Sequence, residues 1–273
     1  MRACAMSDRR VSRMINTEGM RMTNDGTKDE EMGQRGYASS PCLMHELDST
    51  HMASRPQIHP ERRAAIYRWR REERARLIHE RLAMSPAVRI EHGARMASHL
   101  DMLLPDVAGR IISFYWPIRG EPDLRGWIST IMGRGALTAL PVVIEKNVPL
   151  VFRSWNTGDP LVRGIWNIPI PERGKEVIPD IVLAPVVGFD EQSFRLGYGG
   201  GYFDRTLARL QAKPCVIGVG YAEAKISTIF PLDHDIGMDV IVTERRIEGF
   251  GRRLGRLYRF CAPDNAEIEQ DRP

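Results

Sequence analysis

The chain has few cysteines for its 273 residues, and the four it has, Cys4, Cys42, Cys215 and Cys261, form no C-x-x-C pair. That spacing excludes a zinc ribbon and a disulfide framework, and it points to a reducing, cytoplasmic setting. Long hydrophobic runs are missing too: IVLAPVVGF at 181–189 falls well short of the roughly 18 to 20 apolar residues that span a bilayer. No membrane partner is expected. Neither charge dominates, since 39 Lys+Arg stand against 35 Asp+Glu for a net charge of +4. So mild an excess gives no argument for a nucleic-acid face and suits an anionic small ligand equally well.

The first 60 residues are polar, rich in Met, Ser and Arg, and hold no sustained period, so they read as a disordered extension. Acidic residues at Asp8, Glu18 and 29–31 weaken a targeting reading, and Met52 is one candidate start. From 61 to 83 there is no Gly or Pro, and Arg, Glu, Ala and Leu predict a basic helix. Ser85 and Pro86 supply an N-cap and first position for a second helix over 86–104, which Pro105 stops. Apolar runs then recur at 110–116, 136–143, 149–155, 181–187, 215–221 and 238–243, with helical patterns at about 122–134 and 202–212. Five or six strands separated by helices predict a three-layer α/β domain, a mainly parallel sheet covered by helices on both faces. That single domain spans 61–261, followed by a disordered polar tail over 262–273.

The segment RLGYGGGYFDR at 195–205 lies between a strand and a helix. Gly197, Gly199, Gly200 and Gly201 permit positive φ and close backbone approach, so several amides can face one anion at a helix start, with Arg195 adding a forked cation. It is neither a P-loop, which needs G-K-[ST], nor a dinucleotide fingerprint, which needs Gly at Tyr202. A phosphate cradle and a tight turn packed by glycines both remain open. Asp204 falls in the helix's first turn, where the dipole favours a carboxylate by about 0.3–1 kcal/mol and where magnesium beside a phosphate also finds a ligand. Removing its charge should therefore change stability by no more than about 1 kcal/mol. Asp239 is a second oxygen donor or a turn residue. Arg70 and Arg74 share a helix face, as a phosphate clamp or as solvated surface. Glu121, in YWPIRGEPD, is a ligand contact or a plain loop carboxylate, and His234 between Asp233 and Asp235 is a dyad or a structural histidine.

RLGYGGGYFDRTLARL, preceded by DIVLAPVVGFD and followed by HDIGMDVIVTE, resembles the signature of the 5-formyltetrahydrofolate cyclo-ligase family. The resemblance runs from about Arg70 to Glu244 and includes LAMSPAVR, YWPIRGEPD, ALPVV and WNIPIP. It implies ATP- and magnesium-dependent cyclisation of 5-formyltetrahydrofolate to 5,10-methenyltetrahydrofolate, releasing ADP and phosphate, on a fold similar to ribose-5-phosphate isomerases and CoA transferases. It puts ATP on Arg70, Arg74 and the loop Arg195, Leu196, Gly197, Tyr198, Gly199, Gly200, Gly201, Tyr202 and Phe203. Folate would lie against Trp116, Glu121 and the Tyr198–Tyr202 part of that loop, and Mg2+ on Asp204 and Asp239. No side chain is an evident nucleophile or general base. A monomer or weak homodimer is expected, with no nucleic acid. Many members carry Lys in place of Arg70, Arg and Lys in place of Tyr198 and Gly200, and Tyr in place of Phe203, so fewer loop cations offset phosphate charge here. The competing reading is a non-catalytic folate-, nucleotide- or RNA-binding regulator on the same fold.

Overall fold

A computed structural model describes residues 58–249. The extension read over 1–60, save its last three residues, and the tail at 262–273 lie outside the described residues. In chain order the elements are α1 (Pro60–Ala83), α2 (Pro86–Leu103), β1 (Ile111–Ser113), α3 (Arg125–Gly133), β2 (Leu137–Val142), β3 (Val151–Ser154), β4 (Leu161–Arg163) and β5 (Pro169–Pro171). There follow β6 (Glu176–Val177), β7 (Ile181–Pro185), β8 (Gly188–Phe189), β9 (Arg195–Leu196), α4 (Tyr202–Arg209), β10 (Cys215–Val219), β11 (Val240–Val242) and β12 (Ile247–Gly249).

The helices begin and end where local chemistry dictates. Ser85 Oγ accepts the Val88 amide at 3.3 Å and Pro86 opens α2, as the capping pattern predicts. On α1, Arg76 bonds both Glu73 and Glu80, an i±3 and i±4 ladder that supports its exposed side. The helix expected over 202–212 stops at Arg209, because Lys213 Nζ turns back to donate to the carbonyls of Leu207 (2.8 Å) and Ala208 (3.0 Å).

Eight strands form one sheet in the order β12-β11-β10-β7-β1-β2-β3-β6. The five from β11 through β2 are parallel, and antiparallel strands close both edges, β12 on one side and β3 and β6 on the other. β4–β5 and β8–β9 are separate antiparallel pairs. Both faces of the sheet are covered, as a parallel sheet requires. Along β7 the side chains alternate, Ile181 and Leu183 packing under α2 and α3 with Leu100 and Ile128, while Val182 and Ala184 pack on the other face with Leu207 of α4. α1 buries Leu77 and Ile78 against Val187, Leu196 and Ile229.

Candidate active site

The inward side of α1 carries arginines. Arg70 is 7% exposed and gives a two-pronged ion pair to Asp235, with Nη2 2.5 Å from Oδ2, while Nε and Nη2 also donate to the carbonyls of Ile229 and Phe230. That geometry fastens the helix to the 229–235 segment. The structure therefore does not bring Arg70 onto the glycine loop. Arg74 does reach it, Nε donating to Gly197 O at 2.6 Å. His234 stands 3.8 Å from Asp235, a carboxylate already committed to Arg70, so of its two readings a dyad would be secondary to that pair.

The loop from Gly197 to Gly201 needs its glycines. Gly199 has φ of 96° and Gly201, the N-cap of α4, has φ of 61°. A Cβ on Gly200 would meet the Tyr202 ring at 2.7 Å. The carbonyls of Gly197 and Gly200 face arginines, Arg74 and Arg205 respectively. Among the described residues no hydrogen bond takes the backbone N–H of any residue from Tyr198 through Asp204. Half-buried amides left in that condition are anion donors in waiting.

Arg195 is nearly buried, donates to Asp204 Oδ2 at 2.8 Å and lies over the Phe203 ring at 5.0 Å. Asp204 Oδ1 accepts the Ile236 amide at 3.1 Å. Asp204 is thus more than a helix-end charge, and because removing one partner of a buried pair typically costs about 3–5 kcal/mol, breaking this largely buried pair is expected to exceed the ceiling of about 1 kcal/mol. Asp239, three residues beyond Ile236, accepts the Val216 amide on Oδ2 at 2.7 Å. The two carboxylates thus border one backbone segment but bond different partners. Among the described residues no group of three or more His, Cys, Asp or Glu side chains makes a metal cage.

Trp116 and Glu121 line a cavity of about 660 Å³, walled also by Arg89, Arg125 and Trp155. Its size suits a drug-sized ligand. Arg125 covers the Trp116 ring at 5.0 Å, and Trp155 meets that ring edge-on at 6.1 Å. Glu121 is 6% exposed; Oε2 accepts the Ile118 amide at 2.9 Å, whereas Oε1 is buried with no hydrogen-bond partner. Burial pushes its carboxyl up to about 7, against the lowering pull of the Ile118 amide, Arg81 and Tyr198. Burial and the neighbouring Glu121 charge in turn raise the Tyr198 hydroxyl well above its ordinary range. Tyr198 therefore joins the glycine loop to the cavity. Sequence reasoning missed Arg81, which donates to Tyr198 Oη at 2.6 Å, and Arg205, which lies over Tyr202. The signal was there for Arg81, since 70, 74 and 81 fall on one helical stripe.

The model of the "5-formyltetrahydrofolate cyclo-ligase family" matches residues 66–244. The chain belongs to that family. Among curated cyclo-ligases, that of Mycolicibacterium smegmatis is 28% identical over 181 residues, covering 63% of this chain and 92% of the relative. That of Escherichia coli is 29% identical over 178 residues, covering 61% and 96%. The NMR structure of Aquifex aeolicus 5,10-methenyltetrahydrofolate synthetase aligns with a TM-score of 0.58 at 28% identity, over 66% of this chain and 92% of that one. A Mycoplasma pneumoniae 5,10-methenyltetrahydrofolate synthetase shares the fold, with a TM-score of 0.54 at 22% identity over 64% of this chain and 98% of that one. The cyclo-ligase match takes in the glycine loop, Trp116 and Glu121 together.

Proposed function

We propose that this chain uses ATP to close 5-formyltetrahydrofolate into 5,10-methenyltetrahydrofolate, releasing ADP and phosphate. The observation that carries the reading is the run of unbonded amides from Tyr198 to Asp204, joined through Tyr198 to the cavity that holds Trp116 and Glu121. The amides and the Arg74 and Arg195 side chains would receive phosphates, while Arg70 acts by holding the 229–235 segment in place. The folate ring system would lie against Trp116, and the unpartnered Glu121 Oε1 would accept one of its N–H groups.

The chemistry asks for placement rather than for a nucleophile. A formamide oxygen leaves poorly, so it first takes the γ-phosphoryl group as ADP departs; N10 of the folate then attacks the activated formyl carbon, and the C–O bond breaks as phosphate leaves together with the N10 proton. Amides fixed in a half-dry loop can neutralise the charge that develops on the transferring group. Magnesium fits this site only as a companion of ATP, because Asp204 and Asp239 supply at most two carboxylates and phosphate oxygens must complete its shell. Bound there, it would screen charge between the phosphates. The cytoplasmic setting and a monomeric or weakly dimeric state belong to this same proposal.

The test is to mix purified protein, 5-formyltetrahydrofolate, ATP and magnesium and to follow methenyl absorbance and phosphate release. One phosphate per methenyl group is expected, and chelating the magnesium should stop both signals until it is restored. A folded protein with no turnover would overturn the reading.

A further inference from the structure

We propose that Arg81 is a positioning residue for the cyclisation, tying α1 to the glycine loop and to the loop of Glu121 and holding that carboxylate ready for the folate. The inference rests on the function proposed above. Arg81 is 5% exposed. Its Nε donates to Arg119 O at 3.0 Å and its Nη2 to Tyr198 Oη at 2.6 Å, and its guanidinium lies 5.8 Å from the centre of the Tyr198 ring. One side chain from the last turn of α1 thus fixes both walls of the site. Its third nitrogen, Nη1, is buried without a partner, and so is Glu121 Oε1. Buried orphan atoms are uncommon in folded proteins. Here the two groups, of opposite charge, act on one another electrostatically and both interact with the Tyr198 hydroxyl between them, and a ligand or water offering both a donor and an acceptor would complete the two orphan atoms.

The electrostatics agree with the geometry. Glu121 is surrounded by Arg81 from α1, Tyr198 from the glycine loop, Tyr221 after β10, and Tyr115 on its own segment. Arg89 and the Asp123–Arg125 pair line the cavity beside it. Burial favours the protonated acid, and Arg81 is the cation that opposes it. Without Arg81 the carboxyl would remain protonated at neutral pH and could no longer accept from a folate N–H as an anion.

Two variants separate charge from packing. Arg81→Lys keeps the charge and Arg81→Gln keeps hydrogen-bond donors without it. In ligand-free protein labelled with carboxyl-13C glutamate, with Glu121→Gln as the assignment control, the Glu121 midpoint near 7 should rise by about one pH unit in Arg81→Gln. It should return towards the wild-type position in Arg81→Lys. In turnover, the acidic limb of kcat/KM should move by the same amount, with the folate KM at pH 7 rising about fivefold and kcat changing less. An unmoved Glu121 titration in folded Arg81→Gln would overturn the inference while leaving the cyclisation standing. Absent wild-type turnover together with an Arg81-dependent titration would remove the cyclisation reading and keep the charge coupling.

Discussion

A carboxyl group pushed up to about 7 by burial, as in Glu121, makes the fold itself respond to pH. An unfolded glutamate titrates near 4.3, so between the two values the native state holds more protons than the unfolded one, and stability falls as pH rises. Glu121→Gln should match the wild type in a thermal melt at pH 4 and exceed it at pH 8 by up to about 3 kcal/mol, while losing activity. A variant that melts lower than the wild type at pH 8 would contradict this. Asp204→Asn should behave in the opposite way. It keeps an acceptor for Ile236 but leaves the Arg195 guanidinium without its anion, so turnover should fall more than tenfold and stability by about 3 kcal/mol, measured by assay and denaturant titration. At this scale, sequence could name Asp204 but not its partner, since the nine residues back to Arg195 cross a loop whose path is set by glycine dihedrals. The stripe of 70, 74 and 81 could mark Arg81 as a candidate, but only the docked helix shows that this stripe turns inward.

At the scale of elements, α1 is held by polar as much as by apolar contacts. Arg70→Met would strand Asp235 within the 229–235 segment, and we expect a loss of about 3–5 kcal/mol in a denaturant melt. An unchanged midpoint would show that the fork is ornamental. The six apolar runs became β1, β2, β3, β7, β10 and β11, and each observed strand falls within the run that announced it. The short strands β4, β5, β6, β8, β9 and β12 were not read as strands of their own, because their two or three residues carry no readable period and, unlike β1 and β11, none was singled out as an apolar run with strand character. Hydrogen-bonded neighbours make them strands: β4 with β5, β8 with β9 and β12 with β11 across short connections, and β6 with the more distant β3.

For the whole molecule, parallel strands buried on both faces gather the site-bearing loops around one sheet, and the α/β class was legible from the alternation of apolar runs and helices. The described fold begins at α1 with Pro60 and the family match at residue 66. Reading residues 1–60 as an extension outside the domain predicts that a chain lacking residues 1–52 keeps the melting temperature and turnover of the full chain; aggregation of the shortened protein would contradict this. The unbonded amides between Tyr198 and Asp204 have one more consequence. With no acceptor among the described residues to hold their protons, they should take up deuterium early when the enzyme is idle, and nucleotide should slow that uptake at this stretch before any chemistry occurs. Occupancy could then be timed separately from catalysis on the same molecule.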